Sequence, residues 1–141
     1  MTDAHIHAIV YDIVGAAIDV YQDLRGGLSE AIYEEALCCE LEKRGIQYES
    51  QKELTVYFKG NPLKKKYRAD IYCENNIIIE LKAVDEIIPE YRAQLFNYLR
   101  VTKTSFGILM NFTMKGVRIE KYLYNHDTNE VVLFPSKHEQ E

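Results

Sequence analysis

The 141-residue sequence predicts an α/β fold in which helices flank a mixed central β-sheet. Two patterns carry this prediction. Apolar residues recur every three or four positions early in the chain, and later segments rich in Tyr, Val, Ile and Phe have the pattern of strands. Because the length and the hydrophobic share of 47% are typical of a chain with one core, we expect a single domain over residues 1–135. Residues 136–141 are expected to form a polar C-terminal tail.

The first part of the chain is predicted to form two helices. Apolar positions over residues 6–24 mark one face of an amphipathic helix, which the "RGG" at residues 25–27 ends. Ser29 stands where the N-cap of a second helix would be. That helix is predicted over residues 30–44, with Gly45 at its end.

The pattern changes to that of strands after the second helix. "IQYES", "ELTVYFK" and "PLKKKYRADIYC" are expected as three strands, with a hairpin turn at Gly60 and Asn61 before the last of them. "IIIELKA" is predicted to be central, since a continuous apolar run suits burial on both faces. Pro89 begins a third helix. Strands over residues 105–112 and 117–124 complete the order α-α-β-β-β-β-α-β-β, and residues 131–134 are a candidate for one more short strand.

Charge and cysteine content limit the class of protein. The net charge of −5 argues against a protein that coats nucleic acid by bulk electrostatics, although it allows a local basic patch. The three cysteines lack the spacing of a zinc or redox motif, so we expect core residues in a reducing compartment. No apolar run reaches the ~18 residues of a membrane span. These features favour a cytoplasmic protein.

A pair of charged residues interrupts the central strand. Residues two apart on a strand share a face, so Glu80 and Lys82 project to the same side. Asp70 lies near the end of the preceding strand, and the "NN" turn at residues 75–76 makes the two strands antiparallel neighbours. Asp70 and Glu80 are therefore expected to converge, close enough to bind one hard cation such as Mg²⁺. The alternative is a structural ion pair on a half-exposed strand.

Two helices add further polar candidates. Glu30 lies on the line of the second helix that is expected to be buried, with Glu34 close to its direction as a reserve candidate. Glu30 has the alternative role of stabilising the first turn of the helix. Gln94 and Tyr98 are four residues apart on the third helix and are therefore neighbours on its surface.

Together these residues resemble the PD-(D/E)XK nuclease superfamily. The segment "GLSEAIY" at residues 27–33 is similar to the signature of its GxxExxY family. The resemblance implies a restriction-endonuclease-like core and an acidic site that binds one or two Mg²⁺ or Mn²⁺ ions. One departure is Ala69, which stands where the motif name has a proline.

The resemblance assigns a role to each candidate. Asp70 and Glu80 match the two acids of the motif, Lys82 its lysine and Glu30 the helical acid. Gln94 and Tyr98 match a QxxxY element. Chemically, Asp70, Glu80 and the carbonyl of Leu81 would bind the cation, Glu30 would bind a second cation or position water, and Lys82 would orient the water or offset phosphate charge. Gln94 and Tyr98 would steady the lysine or the phosphate.

The leading hypothesis is a metal-dependent nuclease that hydrolyses DNA, with RNA as a further substrate class. Phosphates would contact the one basic cluster of the chain, which otherwise is an ordinary solvated hairpin arm: Lys64, Lys65, Lys66 and Arg68. The alternative is a catalytically silent module with the nuclease fold that binds a protein or nucleic acid. A homodimer or another protein partner is compatible with either hypothesis.

Overall fold

The structure is a computed structural model that describes residues 3–135. The expected tail at residues 136–141 lies outside the described residues. Helix α1 spans Asp3–Leu24 and helix α2 spans Glu30–Lys43, as the hydrophobic pattern predicts. Ser29 occupies the N-cap of α2 in extended conformation without a side-chain capping bond. Gly45 follows the helix with a φ of 72°, a left-handed conformation that glycine adopts at no steric cost.

Six strands and a third helix complete the described chain. They are β1 (Tyr48–Phe58), β2 (Asn61–Cys73), β3 (Ile77–Lys82), α3 (Pro89–Thr102), β4 (Phe106–Thr113), β5 (Gly116–Asn125) and β6 (Glu130–Leu133). The order is α-α-β-β-β-α-β-β-β, so the predicted order is wrong in its strand counts. "IQYES" and "ELTVYFK" form one strand because the pairing with β2 continues on both sides of Gln51, through Ser50 with Ile71 and Lys52 with Ala69.

The sheet follows the chain order β1-β2-β3-β4-β5-β6. Only the β3–β4 pair among these six strands is parallel, and α3 makes the crossover between them. Ile77, Ile78, Ile79 and Leu81 of β3 are buried, which confirms the prediction of a central strand covered on both faces. The observed architecture confirms the predicted mixed sheet flanked by helices and is consistent with a restriction-endonuclease-like fold.

Each face of the sheet has its own hydrophobic core. Helices α1 and α2 pack on one face, here called the α1/α2 face, against Ile71, Ile79 and Leu81. Helix α3 packs on the opposite α3 face through Leu95 and Leu99. Two of the cysteines, Cys38 and Cys73, are buried as expected, whereas Cys39 is exposed on α2.

Strands β1 and β2 change faces at one level. In β2, Ile71 packs in the α1/α2 core, but Ala69, two residues earlier, packs in the α3 core. In β1, the Ser50 hydroxyl reaches α2, while Leu54 packs on the α3 face. Regular alternation would keep both members of each pair on one face. The change occurs at Asp70 in β2 and at Gln51 in β1, which the pairs on either side place opposite each other. Gln51 has a left-handed φ of 53°.

Within residues 3–135, no helix is both long enough and apolar enough to cross a membrane.

Candidate active site

Asp70 and Glu80 lie where β2 and β3 separate. The β2–β3 register joins Ile71–Cys73 to Ile77–Ile79. Beyond it, the Leu81 N–H donates to Asp70 Oδ2 over 2.9 Å. Hydrogen bonding to the Asp70 backbone lowers the pKa of Glu80. Asp70 and Glu80 therefore lie at the same level of β2 and β3, just beyond the last paired residues Ile71 and Ile79.

Both carboxyl groups have raised pKa values. Burial raises the pKa of Glu80 from 4.5 to about 8, with a smaller raising effect from Glu34 and Glu30, while the Asp70 N–H and Lys82 act in the opposite direction. Burial also raises the pKa of Asp70, and the Leu81 N–H partly offsets this effect. Ionised Asp70 and Glu80 would therefore have too little positive charge from the protein's own side chains near them. A bound cation would relieve that cost.

Lys82 follows Glu80 on the α3 face. Its Nζ lies 4.4 Å from the centre of the Tyr91 ring, a cation–π contact with the first turn of α3. The strand end is fixed by Asn111, the β4 partner of Lys82, whose buried amide exchanges two 3.0 Å hydrogen bonds with the backbone of Val84. The next residue across the sheet is Arg118 of β5, so Lys82, Asn111 and Arg118 form one row across three strands.

The predicted pair on α3 connects to Glu80 through a residue that the sequence analysis missed. Gln94 Nε2 donates to the Tyr98 hydroxyl over 2.6 Å. The Tyr98 ring stacks on Tyr67 of β2, and the Tyr67 hydroxyl donates to Glu80 Oε1. Tyr67 is three residues from Asp70, so regular alternation assigns them to opposite faces. Only the change of face at Asp70 brings both to Glu80.

The two acids of α2 differ in position from the expectation. Glu30 is exposed, so the prediction that it is buried is wrong. It has the same helical direction as the buried Leu37, but it is the first residue of the helix, beyond the packed turn of Tyr33. Glu34 is half-buried and has the larger influence of the two on the pKa of Asp70 and of Glu80. The reserve candidate is thus the better-placed acid.

Glu34 also has two fixed partners on β1. Ser50 Oγ donates to its Oε2 over 2.8 Å. Gln51 Nε2 lies 2.9 Å from Oε1 and 3.1 Å from Oε2. No signal in the sequence marks Gln51, because its position depends on the left-handed backbone and not on a side-chain pattern.

The basic cluster projects from the outer part of the β1–β2 hairpin. Lys64, Lys65 and Lys66 are exposed on β2. Arg68 is also exposed and pairs with Glu53 across the hairpin at 3.2 Å. From Lys66 to Asp70 the strand rises about 13 Å at about 3.3 Å per residue. The cluster is therefore beside the acids and not among them.

The side-chain atoms available at the site determine which cation could bind there. Among residues 3–135, no group of three His, Cys, Asp or Glu side chains is close enough to form a complete metal site alone. Two carboxyl groups at the same level of neighbouring strands suit a hard cation that keeps several waters or completes its shell with substrate oxygens. Asp70 and Glu80 are such a pair, and with the Leu81 carbonyl they could hold Mg²⁺ or Mn²⁺.

Comparison with protein families agrees with this arrangement. The family model described as PD-(D/E)XK nuclease superfamily matches residues 7–122, which is most of the chain. This chain belongs to the PD-(D/E)XK nuclease superfamily. The match confirms the superfamily indicated by Asp70, Glu80 and Lys82, and members of this superfamily generally use divalent metals.

Solved structures include similar folds. The crystal structure of SSO0001 matches this PD-(D/E)XK chain with 25% identity and a TM-score of 0.50, over 65% of this chain and 48% of that one. The chain thus spans about half the length of SSO0001. An alkaline exonuclease (LHK-Exo) from Laribacter hongkongensis matches with 14% identity and a TM-score of 0.45, over 79% of this chain and 77% of that one. None of the curated proteins matches the sequence.

Proposed function

We propose that this chain is a metal-dependent nuclease that hydrolyses phosphodiester bonds, with DNA as the first substrate to test and RNA as the second. The observation that carries the proposal is the bond from the Leu81 N–H to Asp70, which sets Asp70 beside Glu80 where the β2–β3 pairing ends, with Lys82 on the same strand as Glu80. Superfamily membership supports the same reaction class. The "GLSEAIY" segment supports assignment to the GxxExxY family.

Each group of the site would have its own part in phosphodiester hydrolysis. Asp70, Glu80 and the Leu81 carbonyl would hold Mg²⁺ or Mn²⁺. When bound, such an ion lowers the pKa of water and offsets phosphate charge. Lys82 supplies a positive charge that no carboxylate neutralises directly, because its ammonium contacts the Tyr91 ring and, within residues 3–135, forms no ion pair. It would orient the attacking water or stabilise the transition-state charge on the phosphate.

The remaining site residues would act on these groups. On the α3 face, the side chain of Glu80 is held by a chain of contacts: its hydrogen bond from Tyr67, the stacking of Tyr67 on Tyr98, and the hydrogen bond from Gln94 to Tyr98. Glu34, with Glu30 at the rim, would position water or a second cation from the α1/α2 face. This extends the predicted role of Glu30 to its neighbour one turn later.

Two basic surfaces would contact the nucleic-acid backbone. One is the exposed hairpin arm at residues 64–68. The other is Arg118, which is exposed two strands from Lys82 in the same row. Neighbouring strands are about 4.8 Å apart, so Arg118 begins about 10 Å from Lys82, a distance suited to a phosphate near the one that reacts. Such contacts orient a strand without reading its sequence.

The second candidate function is a catalytically silent module with the nuclease fold that binds a protein or nucleic acid. The exposed position of Glu30 favours it, because a helical acid outside the cleft weakens a second cation site. A cytoplasmic location is proposed with either function, since the three thiols are free and Cys39 is exposed, as expected in a reducing compartment.

One experiment separates the two functions. Purified protein is incubated with linear, nicked and branched DNA and with RNA, in Mg²⁺, Mn²⁺ or EDTA, beside Asp70→Asn and Lys82→Ala variants. The amide introduced by Asp70→Asn still accepts the Leu81 N–H bond, so the fold should persist while cleavage falls about a hundredfold or more. Glu49→Gln removes an exposed carboxylate of β1 and should cleave like wild type. Equal cleavage by all variants would indicate a contaminating nuclease. Absence of both cleavage and calorimetric cation binding would favour the silent module.

A further inference from the structure

Gln51 has a backbone conformation that its side chain does not explain. It lies in the middle of β1, yet its φ of 53° is in the left-handed region. Residues other than glycine rarely adopt this conformation, and in folded proteins such residues cluster at functional sites. The neighbours Ser50 and Lys52 keep their pairing with β2, so the conformation does not serve to end the strand.

The conformation directs the Gln51 side chain toward the candidate site. Gln51 is opposite Asp70 in the β1–β2 register. Its Nε2 donates to both oxygens of Glu34, at 2.9 and 3.1 Å. The Gln51 amide also lowers the pKa of Asp70, the residue that the pairs Ser50–Ile71 and Lys52–Ala69 place opposite it. One amide group therefore binds the acid of α2 and acts on the acid of β2.

A neutral donor is suited to this position. Glu34 and Asp70 repel each other, as the effect of Glu34 on the Asp70 pKa indicates. An Arg or Lys between them would neutralise the charge that attracts a cation, whereas an amide orients carboxylates and leaves their charge in place.

We propose that Gln51 is a positioning residue, whose left-handed backbone places its amide so that Glu34 and Asp70 are held in the orientation that binds a divalent cation. The inference rests on the proposed function, because it takes Asp70 as a cation ligand. It adds a residue that touches neither cation nor substrate and acts only through the two carboxylates.

The test compares two glycine substitutions. Gln51→Gly removes the amide at a site where glycine suits the backbone, so the protein is expected to keep its melting temperature. Lys59→Gly is the matched control, since Lys59 also has a left-handed φ, of 49°, in the exposed turn between β1 and β2. Mn²⁺ affinity is measured by calorimetry without nucleic acid, beside wild type and Asp70→Asn. Gln51→Gly should weaken Mn²⁺ binding about tenfold or more, while Lys59→Gly should bind like wild type.

The outcomes separate this inference from the proposed function. If wild type binds Mn²⁺, Asp70→Asn does not, and Gln51→Gly binds like wild type, the positioning role is overturned and the nuclease proposal stands. If wild type neither binds Mn²⁺ nor cleaves nucleic acid, both fail together. Should Gln51→Gly not fold, Gln51→Asn replaces it. Asparagine tolerates the left-handed backbone but its amide is one methylene short of Glu34, so wild-type affinity in that variant would equally overturn the inference.

Discussion

Replacing Glu80 by Gln should change the stability of the cation-free protein in opposite directions at pH 8 and pH 5. The half-buried carboxyl has its pKa raised from 4.5 to about 8, chiefly by burial. At pH 8 the folded protein therefore either retains a proton on Glu80 or holds a carboxylate in an unfavourable environment, whereas the unfolded chain has the carboxylate in water. The amide of Gln carries no charge to bury, so the variant avoids this cost.

The size of this effect on stability follows from the linkage between proton binding and folding. The group contributes most to stability below pH 4.5, and that contribution is lost as the pH rises to about 8, since only the folded state retains the proton in this interval. At about 1.36 kcal/mol for each pH unit, the upper limit is roughly 5 kcal/mol. Solvent access and relaxation around the carboxylate reduce it to about 2–3 kcal/mol. Gln also offers the Tyr67 hydroxyl a neutral amide oxygen in place of the Glu80 carboxyl, and the weaker hydrogen bond costs about 1 kcal/mol at either pH.

Glu80→Gln should therefore be more stable than wild type by about 1–2 kcal/mol at pH 8. At pH 5 it should be less stable by only a few tenths of a kcal/mol, because about 0.8 kcal/mol of the wild-type contribution is already lost there. Urea unfolding in EDTA at both pH values, for both proteins, measures the difference. Glu35→Gln is the control, because the loss of this exposed carboxylate of α2 should leave stability unchanged at either pH. A difference between Glu80→Gln and wild type that is the same at pH 5 and pH 8 would refute the reasoning, since a Glu80 with an ordinary pKa has no such pH dependence.

Two further predictions concern the basic arm and the end of the central strand. Replacing the three lysines at residues 64–66 by Ala should weaken binding of duplex DNA, measured in the Asp70→Asn background, and lower the slope of log affinity against log salt by up to about 3. An unchanged slope would place the DNA elsewhere. Asn111→Ala leaves the Val84 N–H and C=O without their side-chain partner and should cost about 2–3 kcal/mol in urea unfolding, whereas the exposed Asn97→Ala should cost little.

The features predicted correctly from the sequence are those that depend on the regular spacing of apolar residues. Helix α1, the central strand β3 and helix α3 with Pro89 in its first turn follow from apolar spacing and local signals. Glu80 and Lys82 share a face because they are two apart on a regular strand. The antiparallel pairing that sets Asp70 and Glu80 at the same level of β2 and β3 needed only a short turn between the strands, so it was also predictable.

The sequence could not predict features that depend on a break in regularity. Gln51 in a left-handed conformation changes the face of β1, and no local pattern signals this for a glutamine. The same break brings Tyr67 to Glu80 against the expected alternation. The exposure of Glu30 has a different cause. The sequence shows which side of a helix a residue faces, but it does not show how far along the helix the packed core extends.

The change of face explains how the site receives neighbours from both faces of the sheet. In a regular strand, the side of Asp70 that meets α3 would be closed to α2, and the site would have access to acids from one layer only. Here the irregularity at Gln51 and Asp70 reverses the alternation, so that Glu34 influences Asp70 from the α1/α2 face while Tyr67, stacked on Tyr98 of α3, contacts Glu80 from the α3 face. Each face of the sheet thus contributes a polar neighbour to one of the two carboxyl groups. A cation bound between Asp70 and Glu80 would then connect the two layers where the β2–β3 ladder ends, because it would attract both carboxylates across the gap between the strands.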